Sequence, residues 1–126
     1  MMFTIIDKSN YLKGLLILAR KDNKLFDSEK EIIRDIAKKL DFNKDFYEEI
    51  LRNLLANQYI KDDPMKFSDR KIAESFLADG FKLACADNNF DESELFWLKD
   101  IALVNEISET EFDALYRNFL SVKSAS

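Results

Sequence analysis

Displaced by 65 residues, the chain matches itself. Tyr11–Leu55 lies on Phe76–Leu120 without a gap, and 13 of the 45 aligned positions are identical. Internal repetition at a fixed offset constrains architecture more than any local propensity, because each unit must bury its apolar faces against the other. The repeat also makes each half a control for its partner. A residue kept in both copies answers to a shared requirement, and a residue that differs marks where the halves took separate roles.

The apolar spacing within each copy is helical. It predicts three helices per repeat: about Lys8–Lys21, Ser28–Leu40 and Lys44–Ala56, then about Asp69–Ala86, Glu92–Asn105 and Glu109–Val122. Start signals of capping-box spacing support them: Ser28 with Glu31, Asp91 with Glu94, and Ser108 with Glu111. Asn23 and Asn88 follow the first helix of each copy, and Asn tolerates the left-handed conformation that ends helices. With only two Gly and one Pro in 126 residues, tight hairpins are disfavoured and long helices favoured. Asp62-Asp63-Pro64 lies in a stretch, 57–67, that joins the copies. One helix triplet is too small to bury its own apolar faces well. The expectation is therefore one all-α domain over 1–126, a bundle of about six helices from repeats at about 8–56 and 68–122.

Charge narrows the partners. Residues 1–63 hold 12 basic and 12 acidic side chains, and residues 64–126 hold 7 and 12, so the second half carries the whole net charge of −5. No basic face of the kind nucleic acid requires is evident. The longest apolar run, Leu15–Ala19, is far short of a membrane span. Met1–Ile6 lacks a basic n-region and is stopped by Asp7, which argues against a secretory signal. A single cysteine, Cys85, excludes an internal disulfide and a thiolate zinc site. These features predict a cytoplasmic protein whose charged partners are cations or basic protein surfaces.

The tightest shared element is an acidic helix junction. It reads Ala19, Asp22-Asn23, Asp27-Ser28-Glu29, then Asp35-Ile36-Ala37, and again Ala84, Asp87-Asn88, Glu92-Ser93-Glu94, then Asp100-Ile101-Ala102. An Asp ends one helix and a Glu seven residues later opens the next. This pattern resembles the TerB-like (tellurite-resistance) family of small helical bacterial proteins, related to the amino-terminal module of some membrane-bound DnaJ-like chaperones. That family carries Asp-Gly and a Glu seven residues on, twice per domain; here Asn23 and Asn88 stand where the family favours Gly. The resemblance spans about Tyr11–Leu120. It implies a non-enzymatic cytoplasmic module linked to stress or tellurite resistance. It also implies divalent-cation ligands at Asp22 and Glu29 and at Asp87 and Glu94.

Asp22 and Asp87 sit at helix C-termini, where the macrodipole disfavours an anion, so a loop amide, a lysine or a cation must compensate them. The second junction is richer in acids, with Asp91 and Glu92 beside Asp87 and Glu94. Such carboxylates suit Ca²⁺ or Mg²⁺; equally, they serve to accept loop amides and to cap the next helix without metal. An EF-hand is excluded. Counting from Asp87 puts Glu92 sixth and Leu98 twelfth, where Gly and Glu are needed, and counting from Asp41 fails in the same way.

The halves diverge most on the second helix. Lys30, Glu31, Lys38 and Lys39 align with Leu95, Phe96, Leu103 and Val104. With Trp97, Leu98 and Ile101 the second copy is apolar nearly all round, so something must cover an extra face. The N-terminal segment, the linker, a protein partner or a second copy of the chain could supply that cover, and Leu95, Phe96 and Leu103 are the candidate interface. The pairs Asp35/Arg52 and Asp100/Arg117 keep one separation in both copies, which predicts a salt bridge between the second and third helices of each repeat. An enzyme is disfavoured: the chain has no histidine, no phosphate-binding Gly-rich loop and no Ser–His or Cys–His arrangement. The leading expectation is a cation-responsive interaction module, and the alternative is an adaptor whose acidic junctions are purely structural.

Overall fold

The computed structural model describes residues 2–20, 27–56, 61–85 and 92–125. Among these, every regular element is a helix: α1 (Ile5–Ala19), α2 (Asp27–Lys39), α3 (Lys44–Ala56), α4 (Arg70–Ala84), α5 (Glu92–Val104) and α6 (Glu109–Ala125). Each of α4, α5 and α6 begins 65 residues after its counterpart in the first triplet, and α4 and α5 also end at that offset. The 61–69 strap and the two Asn-bearing junctions separate them, and Asn23 and Asn88 themselves lie outside the described residues.

The two first helices form the centre. Leu15, Leu16, Ile17 and Leu18 are consecutive and all buried, so the C-terminal part of α1 is enclosed on every side, and α1 packs on α2, α3 and α4. Helix α4 in turn packs on α1, α2, α5 and α6. The α1–α4 crossing is close because of its glycines. A Cβ at Gly14 would lie 2.6 Å from the ring of Phe76 on α4, and one at Gly80 would lie 2.8 Å from Leu98 on α5, so Gly80 also lets α5 approach α4. Around this crossing an aromatic network joins Phe3, Tyr11, Phe42, Phe67, Phe76 and Trp97 through centroid separations of 5.2–6.2 Å.

Helix ends follow the repeat closely. Asn43 Oδ1 accepts the Phe46 amide at 3.1 Å to start α3, and its aligned partner Ser108 forms a reciprocal capping box with Glu111 to start α6. Thr4 caps α1 in a second capping box with Asp7, and its aligned partner Asp69 caps α4. Helix α1 begins at Ile5, three residues before the expected Lys8, because Thr4 supplies a cap within the apolar N-terminal segment. Helix α2 begins at Asp27, so Ser28 lies within its first turn rather than ahead of it.

Both second helices end alike. Asp41 (φ 60°) and Glu106 (φ 63°) occupy the left-handed region. The next residue, Phe42 or Ile107, donates its amide to Ala37 or Ala102, each at 2.9 Å. This is the Schellman arrangement; the shared Ile36-Ala37 and Ile101-Ala102 before it, and Phe42 and Ile107 after it, are all buried in the core. Left-handed backbone at a non-glycine residue costs about 1 kcal/mol or more. Glu106→Gly is therefore expected to raise the unfolding free energy by about 1 kcal/mol in urea titration. An unchanged or lowered midpoint would show that the Glu106 side chain offsets the backbone cost.

The expected Asp35–Arg52 and Asp100–Arg117 bridges do not form; all four side chains are exposed, and Arg117 bonds the carbonyl of Asp113 instead. The helix pairs are tied one residue earlier. Arg34 bonds Glu48 at 2.9 Å across α2 and α3, and its aligned partner Lys99 bonds Glu109 at 3.1 Å across α5 and α6. One residue is a turn of about 100°, enough to move Asp35 and Asp100 from the groove to solvent. These exposed pairs contribute about 1 kcal/mol or less each.

The linker is a packed strap. Met65 and Phe67 alternate with exposed Lys66 and enter the core. Trp97 Nε1 donates to the Asp62 carbonyl at 2.8 Å. Asn105 Oδ1 accepts the Phe67 amide at 2.8 Å, and its Nδ2 donates to the carbonyls of Met65 and Ile101 at 3.0 and 2.8 Å. The strap ends on the buried Asp7, which accepts the Ser68 amide at 2.9 Å and the Ser68 hydroxyl.

Candidate functional site

Of the five acidic residues expected to meet a cation, Glu29 and Glu94 lie within the described residues, while Asp22, Asp87 and Asp91 lie outside them. Glu29 is the third residue of α2 and Glu94 the third of α5. Both are buried, at 5% and 6% relative exposure, although Glu92 and Ser93 beside Glu94 are exposed. A glutamate so deeply buried is uncommon, because its charge must be satisfied by hydrogen bonds, dipoles or a cation. Its position supplies one source of compensation. The first turn of a helix presents free amides and the positive end of the macrodipole. Among the described residues no three Asp, Glu, Cys or His side chains converge to hold a metal. The donor chemistry at each junction is all oxygen, which suits a hard divalent cation.

The outer face of α5 is the second feature. Trp97, Leu98, Ile101 and Ala102 face the core, and the strap covers Trp97. Phe96 stays 63% exposed, Leu103 53% and Val104 41%. Leu95 turns away from this face and packs partly against the core. The linker thus supplies part of the extra cover that an apolar α5 requires, and Phe96 and Leu103 keep an uncovered stripe bordered by the exposed acids Glu92 and Asp100. The aligned face of α2 carries exposed Glu31, Lys38 and Lys39.

A third feature has no counterpart in the sequence reading. The Tyr11 hydroxyl donates to Asp79 Oδ2 and lies 2.8 Å from Ser75 Oγ. A phenol has one proton, so the Ser75 hydroxyl donates to Tyr11. Tyr11 is fully buried and Asp79 is 9% exposed. Burial pushes the Asp79 carboxyl above its ordinary value; the Tyr11 hydrogen bond and the charges of Lys39 and Lys82 pull it back only in part. Burial and the adjoining carboxylate push the Tyr11 phenol far above its usual range. The cluster is enclosed and spans the α1–α4 crossing, so it joins helices and presents no group to a substrate. Its trace in the sequence is the alignment of Tyr11 with Phe76 and of Asp79 with Gly14: the hydroxyl and its acceptor occur together on one side of the crossing, and both are missing on the other.

Among the described residues no helix is long and apolar enough to cross a membrane. Comparison with family models, with curated proteins and with solved structures finds no match to this chain.

Proposed function

We propose that this chain is a non-enzymatic, cytoplasmic TerB-like module of two tandem three-helix repeats, cation-responsive at its acidic junctions, that acts in stress- or tellurite-related protein interactions. The observation that carries this reading is the burial of Glu29 and Glu94 at matching places on α2 and α5. Asp22 with Glu29, and Asp87 and Asp91 with Glu94, are the residues that would hold Ca²⁺ or Mg²⁺. A bound cation would neutralise the junction and fix the entry of α2 or α5. The uncovered Phe96–Leu103 stripe is the surface assigned to a protein partner or a second copy of the chain.

A second reading rests on the same carboxylates. The third helical residue is where a glutamate reaches back to cap its own helix, so the junctions would be structural and the protein an adaptor without metal. Calorimetric titration of Ca²⁺ and Mg²⁺ into metal-stripped protein separates the two. Saturable micromolar binding that disappears in the Asp87→Asn, Glu94→Gln variant is expected. Absence of binding in the parent protein removes the cation and leaves the adaptor. Phe96→Glu is expected to abolish self-association or partner binding while leaving the helical circular dichroism unchanged. An unaltered sedimentation and binding profile would remove α5 as the interface.

A further inference from the structure

A cleft runs between α4 and the C-terminal half of α6, in two adjoining lobes that share Phe119 and Val122. One lobe, about 210 Å³, is walled by Ala78, Phe81 and Leu115 and has Glu74 and Asn118 at its rim. The other, about 240 Å³, has Lys82, Cys85 and Lys123 at its rim. Its walls are therefore apolar and its charged rim is polarised, acid and amide at one end and two ammonium groups at the other.

The first triplet shows that the fold does not require this cleft. The residue aligned with Lys82 is Ile17, which is 6% exposed and packed in the core, whereas Lys82 is exposed. Leu16 and Leu54 become Phe81 and Phe119, whose rings lie 5.7 Å apart. Helix α6 runs to Ala125, and its last turn carries Val122 and Lys123, which align with residues beyond the described part of the first triplet. Val122 is 63% exposed. Two of the seven basic residues in the acidic half, residues 64–126, thus stand at one end of one apolar cleft.

We propose that this cleft binds a single-chain fatty acid, with its hydrocarbon along Phe81, Phe119 and Val122 and its carboxylate between Lys82 and Lys123. Apolar walls with a few placed polar groups are the usual form of a small-molecule site. The charge pattern sets the direction of the chain, because a carboxylate is attracted to the lysine end and repelled by Glu74. From Glu74 to Lys82 the helix rises about 12 Å, which matches an acyl chain of about ten carbons. A neutral or cationic amphiphile matches the walls but not the rim. This inference is independent of the cation reading, since the cleft shares no residue with the acidic junctions.

Decanoate, decanol and decyltrimethylammonium, each below its micelle concentration, are the probes. Cys85, the chain's single cysteine, borders the cleft and serves as reporter through its rate of modification by a thiol reagent. Decanoate is expected to slow this modification at least fivefold, saturably, and to shift the amide resonances of Phe119 and Val122. Lys82→Glu with Lys123→Glu is expected to weaken decanoate at least tenfold and decanol less than threefold. Val122→Glu, at an exposed position, is expected to weaken both. The proposal is overturned if decanoate gives no saturable effect, if decanol or the cationic amphiphile binds as tightly, or if the shifts map to the α5 face. A dimer of the parent protein in sedimentation that Val122→Glu dissociates would also overturn it, because the cleft would then be covered by a second copy of the chain.

Discussion

Asn105→Ala should lower the unfolding free energy by about 3 kcal/mol. Asn105 is 5% exposed and uses its amide in three hydrogen bonds. Truncation leaves the Phe67 amide and the Met65 carbonyl of the strap without their partner. Each unsatisfied buried group costs about 1–3 kcal/mol. The effect reaches beyond α5, because the strap inserts Met65 and Phe67 into the core and closes over Trp97. Asn105→Leu, which copies the aligned Leu40, is expected to fail nearly as badly, since it restores volume but no hydrogen bond. Urea titration followed by tryptophan fluorescence checks both, and Trp97 reports the strap directly. A loss below about 1 kcal/mol for the alanine variant would mean that water replaces the amide and that the strap does not depend on it.

The repeat makes the helices legible in the sequence but not this anchor. Helical periodicity and the 65-residue offset give six helices whose observed ends lie within three residues of expectation. They succeed because the apolar pattern records which face meets the core. Capping by Ser108 and Glu111 was legible because both members carry a cap signature. The left-handed caps were not: Asp41 and Glu106 are acidic, and a search for Gly or Asn looks past them. The buried polar residues left a different trace. Asn105 aligns with Leu40 and Asp79 with Gly14, so each is a polar residue in one copy at a place without polarity in the other. The misplaced salt bridges show the limit of conserved spacing. Asp35 and Arg52 keep their separation because both are surface positions of the same helices, and the bridging basic group is the neighbour, Arg34 or Lys99. At the candidate site, the burial of Glu29 and Glu94 gives the shared glutamate a physical reason that the sequence could only suggest.

The halves therefore share a frame and differ in what they leave uncovered. The first copy closes α1 against α2 and α3 with aliphatic residues and presents charge on α2. The second copy replaces that charge with Phe96 and Leu103 on α5 and opens an apolar cleft beside α6. Both changes expose apolar surface in the half that carries the net charge of −5. The acids beside Phe96 and Leu103 suit a partner with basic groups, whereas the lysine end of the cleft suits an anion.

Tyr11→Phe is expected to cost about 2–3 kcal/mol near neutral pH, because it removes the hydroxyl that donates to a buried carboxylate. The loss should depend on pH, and the sign follows from Asp79. Its folded pKa lies above the unfolded value of 3.8. Protonation is thus favoured by folding. The Asp79 contribution is most favourable below pH 3.8 and is lost as pH rises through its folded pKa. Removing the Tyr11 donor raises that pKa further. The variant should then lie closest to the parent protein where Asp79 is protonated in both, and fall away as pH rises and Asp79 ionises. Asp7 has the opposite sign and serves as an internal contrast. Burial pushes its carboxyl up, but the donors from Ser68 and Thr4 outweigh that effect and hold it below 3.8. Its stabilisation is present above pH 3.8 and is lost only as pH falls through its lower folded value. It is common to both proteins and cancels in their difference. In an Asp79→Asn background the phenol faces no carboxylate, and Tyr11→Phe should cost only about 1 kcal/mol with no pH slope in this range. Urea titrations of the four proteins at pH 4.5 and 7.5 complete the cycle. A Tyr11→Phe cost that is the same at both pH values, or unchanged by Asp79→Asn, would show that Asp79 is not the group the phenol stabilises.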